Sequence, residues 1–198
     1  DLLHLKPRFF RTPHVERETV PRGFMGAPQG VWRQSLEPLE SHQFMANLLN
    51  LNCWPSWHSS AGRILSQQNG ELNEGQQFDL HRVERQRLLE EMWVVHSIRQ
   101  SESPRFLEVE FTWCGQQREG RPLGTAIANL RLAVTVWGEE NAGVEIAAWW
   151  NVRWWARFMR GRVNRLPRAM AKQWLNDAIS HGIHSIPESL EAGFDESE

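Results

Sequence analysis

Residues 162–180 read RVNRLPRAMAKQWLNDAIS, and this stretch decides the fold. Leu166, Met170, Trp174 and Ala178 recur at helical spacing as one apolar line, widened by Val163, Leu175 and Ile179. Arg162, Arg165, Arg168 and Lys172 occupy a different arc, so the spacing predicts a long amphipathic helix with one face reserved for a partner. The preceding sequence supplies that partner. Alternating runs over residues 77–83, 92–99, 105–114, 124–137 and 144–150 read as strands of an antiparallel sheet. In the third run Leu107, Val109, Phe111 and Trp113 share one face, while Glu108, Glu110 and Thr112 share the other. Long neighbouring strands twist and coil. A coiled sheet followed by an amphipathic helix predicts an α+β helix-grip arrangement, a curved antiparallel sheet wrapped around a long C-terminal helix.

Upstream, residues 15–22 alternate weakly and read as a first strand ended by Pro21 and Gly23. Residues 29–50 read as a helix: Val31, Trp32, Ser35, Leu36 and Leu39 repeat at its spacing, Pro28 stands near its start, and Pro38 divides it. Residues 50–62 are rich in turn formers and read as a loop, followed by a short strand candidate over residues 63–66. The expected organisation is an extended arm over residues 1–14, one ligand-binding domain over residues 15–186, and an acidic disordered tail over residues 187–198.

Composition narrows the function. The chain has 198 residues, 40% hydrophobic and 23% charged, with a formal net charge of -2. That balance disfavours nucleic acid as a partner, since such binders are basic. No run approaches the roughly 18 apolar residues a membrane helix needs. The first residues show no basic leader before an apolar stretch, so a cytoplasmic location is the expectation, with Cys53 and Cys114 as reduced thiols. Eleven Trp and nine Phe stand beside no Tyr, which removes the phenol that many acid catalysts use.

The order of elements resembles the START-like, or SRPBCC, superfamily of lipid-transfer domains, polyketide cyclases and aromatases, and coenzyme Q-binding proteins. The resemblance rests on Ala27-Pro28-Gln29-Gly30-Val31-Trp32, on Gly70-Glu71-Leu72-Asn73-Glu74-Gly75-Gln76-Gln77-Phe78, and on the closing helix. The first is similar to the family's A-P-x-x-V-W approach to its first helix, the second to its G-x-L-x-x-G-x-x-F hairpin. The residues around 53–63 look like an insertion. The resemblance implies a seven-stranded sheet gripping the last helix over a mostly apolar cavity, with no catalytic residue shared across the family. It also implies a hydrophobic small molecule or lipid as the ligand.

Candidate ligand-binding residues follow. Trp93, Trp113, Trp150, Leu166, Met170 and Trp174 carry the apolar surface; His96 and Arg131 are candidates for polar groups inside, although the apolar row on residues 130–136 argues for an outward Arg131. Alternation sends Trp149 and Trp150 to opposite faces, with Trp150 on the side of Val144 and Ile146. Plain core packing is the alternative for every one of the tryptophans. Arg153, Trp154, Trp155, Arg157, Arg160 and Arg162 form a basic, aromatic run suited to an anionic membrane surface; a solvated helix face is the plainer reading, and RNA a third. His181 and His184 stand three apart at the helix end, where the helix dipole alone favours histidine. No nucleotide loop, Ser/His/Asp order or zinc spacing is present, so no cofactor and no metal are expected. Binding or transfer of an apolar ligand leads; a cyclase or aromatase using the same cavity and an assembly factor acting through the Trp/Arg run are the alternatives.

Overall fold

Alternation along the strands resolves into two faces of one sheet. The computed structural model describes residues 26–66, 70–84, 86–103, 105–139 and 141–184. The expected arm, the strand over residues 15–22 and the acidic tail lie outside them. In chain order the elements are β1 (Gly30–Ser35), α1 (Pro38–Leu49), a 3-10 turn (Leu51–Cys53), α2 (Trp54–Trp57), β2 (Arg63–Ser66), β3 (Gln77–Glu84), β4 (Arg87–Glu102), β5 (Arg105–Arg118), β6 (Arg121–Pro122), β7 (Ile127–Trp137) and β8 (Gly143–Val152). A 3-10 segment (Trp154–Met159), α3 (Arg160–Val163), α4 (Arg165–Asp177) and a π turn (Ala178–Gly182) close the chain. The strands pair antiparallel in the order β1-β8-β7-β5-β4-β3-β2, with two-residue β6 beside β5.

The register stacks one apolar face. Phe111 opposes Leu132, Trp113 opposes Leu130, and Val134 opposes Ile146 across the central strands. These residues, with Phe78, Leu80, Trp93, Val95, Val144, Ala148 and Trp150, are buried in a single core. Register shifts at Met92/Trp93 and Val95/Ser97 bend the β4–β5 ribbon. Gly115, opposite Met92, takes φ +139°, a conformation that L side chains rarely adopt.

Two expected helices are corrected. Residues 29–36 are not helical: β1 pairs in register with β8, Gly30 opposite Ala148 through Ser35 opposite Gly143. Val31 and Trp32 suit a strand as well as a helix, and pairing with an otherwise open sheet edge decides between them. The Ala27–Trp32 motif therefore leads into a strand. Pro38 does not divide a helix but begins one, with the Glu40 carboxylate accepting the Glu37 N–H at 2.9 Å.

The closing helix begins at Arg165 and not at Arg162. Pro167 lacks an N–H and its ring collides with a carbonyl one turn back, so a continuous α-helix cannot run through residue 163. Its buried stripe is Pro167, Ala171, Trp174, Leu175 and Ala178, rotated from the expected line, so that Leu166 is exposed and Met170 half-buried. Beyond Asp177 the π turn packs tightly: a Cβ on Gly182 would meet Phe44 Cδ2 at 2.7 Å. The Asn47 amide donates to the carbonyls of Gly182 (2.7 Å) and His184 (3.0 Å), tying the helix end to α1.

Candidate functional site

The loop expected over residues 50–62 turns into the grip. Trp54 and Trp57 are buried in α2, and Trp54 meets Phe78, Phe111 and Trp174 edge-on at 5.3, 5.7 and 5.5 Å between ring centroids. Trp174 in turn touches Trp93 and Phe111, each at 5.2 Å. The rings of α2 therefore fill the hollow between sheet and α4 that a helix-grip fold leaves. His58 completes the cluster, stacked on Trp54 and edge-on to Trp174 at 4.8 Å. Its Nδ1 accepts the Ser60 N–H at 3.2 Å, which assigns the ring proton to Nε2, a buried donor without a partner among the described residues. Burial first, and the Arg82 guanidinium second, lower its pKa to about 3, so the ring is neutral in the folded protein.

A cavity of about 100 Å³ remains beneath the N-terminal half of α4, lined by Trp113, Leu166, Met170 and Trp174 on its apolar side. Its polar side is Ser60, Arg82, Glu91 and Gln173. Arg82 donates to Ser60 Oγ at 2.8 Å and lies 3.4 Å from Glu91. The Gln173 amide donates to Ser59 and Ser60 Oγ at 2.7 and 2.9 Å. Asp177 accepts both the N–H and the hydroxyl of Ser59, at 3.0 and 2.7 Å, so α4 and the α2–β2 connection form one polar clasp. Burial raises the pKa of Glu91, against the lowering influence of Arg82. A carboxyl that gains a proton easily thus faces a half-apolar cavity. The resemblance implied a mostly apolar cavity, whereas about half of this lining is polar.

The two polar candidates from the sequence face the other way. Arg131 shares a strand with the inward Leu130 and Leu132, and alternation turns it to the outer surface. There it pairs with Glu110 at 3.1 Å and reaches His96 Nε2 at 3.1 Å, while Arg99 joins Glu108 and Glu110. Arg131 has a protein carboxylate as its partner and is no part of the cavity. Of the remaining candidates, Trp113, Leu166, Met170 and Trp174 meet at the cavity, and Trp93 supports Trp174 from behind.

Trp150 points inward as expected but borders a second space, a cleft of about 320 Å³ shared with Gln29, Asn151, Val152, Arg157 and Arg160. Its indole N–H donates to Asn164 at 2.9 Å. Arg153, Trp154, Trp155, Arg157, Arg160 and Arg162 all lie exposed on the 3-10 segment, α3 and the residue before them. His181 and His184 are exposed, and among the described residues no group of three or more His, Cys, Asp or Glu could hold a metal ion.

The sequence reading missed Ser60, Arg82, Glu91 and Gln173. Parity could have found two of them: Arg82 follows Phe78 and Leu80 at steps of two, and Glu91 precedes Trp93 by two. Nothing local marks Ser60, which reaches the cavity only because α2 folds inward.

A curved antiparallel sheet, a C-terminal helix across it and a cavity between them define an α+β helix-grip fold. The fold is similar to that of hypothetical protein jhp0584 from Helicobacter pylori, with a TM-score of 0.54 and 12% identity over 77% of this chain and 83% of that one. It is similar also to major latex-like protein 151 from Panax ginseng, with a TM-score of 0.52 and 10% identity over 82% of this chain and 100% of that one. At such identities the likeness establishes the fold alone. No family model matches the sequence, and no curated protein does. Among the described residues no helix is long and apolar enough to cross a membrane.

Proposed function

We propose that this protein binds a small, largely apolar molecule or lipid under the N-terminal half of α4, at the surface of an anionic membrane. One observation carries the reading: Trp113, Met170 and Trp174 face Arg82, Glu91, Ser60 and Gln173 across one partly open cavity. An apolar wall with a few convergent polar groups is the ordinary form of a ligand site. At about 100 Å³ the cavity is smaller than the roughly 300–1,000 Å³ of an ordinary ligand pocket. A full-sized ligand enters by moving Leu166 and Met170; Leu166 already stands at the surface, and methionine adapts its shape readily. The exposed aromatic and basic residues just before α4 support a membrane position for this mouth.

Met170→Trp fills the cavity, and we expect it to weaken binding of the apolar anion 8-anilinonaphthalene-1-sulfonate at least about tenfold, a cost of about 1.4 kcal/mol. Fluorescence titration of the folded variant beside the parent measures this, with native mass spectrometry for copurified ligand. Equal binding by both, with no copurified molecule, would sink the reading.

A second reading, an enzyme of the cyclase or aromatase kind, is favoured by Glu91 specifically, because burial holds this carboxyl ready to carry a proton beside the cavity. The expected result is a Glu91 side-chain carboxyl that titrates above the usual glutamate range by carbon-13 NMR. An ordinary titration removes the only acid this reading has.

A further inference from the structure

We infer that the cleft between the end of β8 and residues 154–163 is a phosphate site for the headgroup of an anionic phospholipid, with the Trp154 and Phe158 rings seated in the bilayer interface beside it. The inference rests on the membrane reading above and names the lipid group that this surface holds.

Three observations converge. First, Trp154 and Phe158 are 79% and 83% exposed, with Trp155 at 46% and Leu166 at 42%, all within thirteen residues of chain. Clustered exposure of large apolar side chains marks an interaction surface, and rings among arginines suit the headgroup boundary. Second, residues 151–176 carry Arg153, Arg157, Arg160, Arg162, Arg165, Arg168 and Lys172 and no acid, while the rest of the chain holds 15 basic against 24 acidic residues. Positive charge is therefore concentrated in this segment of the sequence, and an anionic plane attracts it. Third, the cleft of about 320 Å³ is bounded by Gln29, Trp150, Asn151, Val152, Arg157 and Arg160. Its floor is fixed: the Gln29 side chain both donates to and accepts from the Trp150 backbone, and the Trp150 indole is held by Asn164. Arg157 and Arg160 make no ion pair with any described residue. Two guanidinium forks without a carboxylate partner among the described residues, over this hydrogen-bonded floor, match the oxygens of a phosphate, which lysines would meet only as point charges.

The test is co-sedimentation with phosphatidylcholine vesicles, with and without phosphatidic acid, for four proteins: the parent, Arg157→Gln with Arg160→Gln, Arg162→Gln with Arg165→Gln, and Trp154→Ala with Phe158→Ala. All these positions are exposed, so unchanged thermal midpoints confirm folding. The parent should bind vesicles containing phosphatidic acid and not pure phosphatidylcholine. The cleft pair should lose roughly 30-fold or more, about fivefold for each charge near the surface plus the lost hydrogen bonds, and the 162/165 pair several-fold less. The aromatic pair should also lose most of its binding. Equal losses from both arginine pairs would overturn the cleft and leave the membrane reading standing. No binding by the parent would overturn both. Glycerol phosphate bound without vesicles, at an affinity indifferent to the aromatic pair, would overturn the lipid in favour of a soluble phosphate. Tighter binding to single-stranded RNA than to vesicles would overturn the bilayer as the partner.

Discussion

Replacing Trp174 by alanine is expected to lower the free energy of unfolding by about 4 kcal/mol, within the range for deleting a buried tryptophan. The ring is 3% exposed and meets Trp54, His58, Trp93 and Phe111 at centroid distances of 4.8–5.5 Å, so it joins α2, β4 and β5 to α4. Edge-to-face ring pairs add to the burial itself. The neighbours belong to three different elements and the residue after α2, and cannot all collapse into the gap. A void with aromatic walls remains, continuous with the cavity that Trp174 lined, and large enough for a small aromatic molecule. Added indole should therefore raise the thermal midpoint of Trp174→Ala and leave the parent unchanged. A loss under about 1 kcal/mol in urea titration, or no rescue, would show that α4 is not gripped by this ring.

Acid should weaken the fold over a defined window, from about pH 6.5 down to about pH 3. The His58 imidazole has its ordinary pKa of 6.5 in the open chain and about 3 when folded, because burial and then Arg82 oppose its charge. Above pH 6.5 the ring is neutral in both states and contributes no slope. Between the two values the unfolded chain binds a proton that the folded protein refuses, so stability falls with falling pH by up to about 1.4 kcal/mol per unit. Below about pH 3 both states are protonated and the loss stops. The accumulated effect is roughly 5 kcal/mol, a large share of an ordinary domain's stability. Glu91 and Asp79, raised by burial, work in the opposite sense, their contributions being complete at low pH and lost as pH rises. Asparagine at position 58 retains an acceptor for the Ser60 N–H and cannot titrate. His58→Asn should flatten the slope between pH 6.5 and 4.5 in urea unfolding at each pH. An unchanged slope in the variant would mean that His58 is not held neutral.

Legibility followed the range of the interactions. The alternation of β5 placed Leu107, Val109, Phe111 and Trp113 on the inner face, and the pair Trp149/Trp150 was split correctly between the two sides. Both follow from strand geometry, where adjacent side chains have no choice but to oppose one another. The closing helix was legible in its apolar line but not in its start, where Pro167 outweighs the periodicity. The strand β1 was not legible, because Val31, Trp32, Ser35 and Leu36 satisfy a helical spacing that pairing with β8 then overrules.

The lining of the cavity was half legible. Trp113, Leu166, Met170 and Trp174 could be chosen from their elements and do meet. The apolar row of β7 already favoured an outward Arg131, as found, whereas nothing in the pattern of β4 placed His96. By itself the sequence determined the local order: which side chains stand together on each strand, where an amphipathic helix closes the chain, and hence that a sheet holds a helix. Only the tertiary structure decided that Trp54, Trp57 and His58 occupy the hollow and that Arg82 and Glu91 flank what is left of it. Periodicity is set by bonds between neighbours, whereas burial depends on segments more than a hundred residues apart, such as Ser59 and Asp177, arriving at one place.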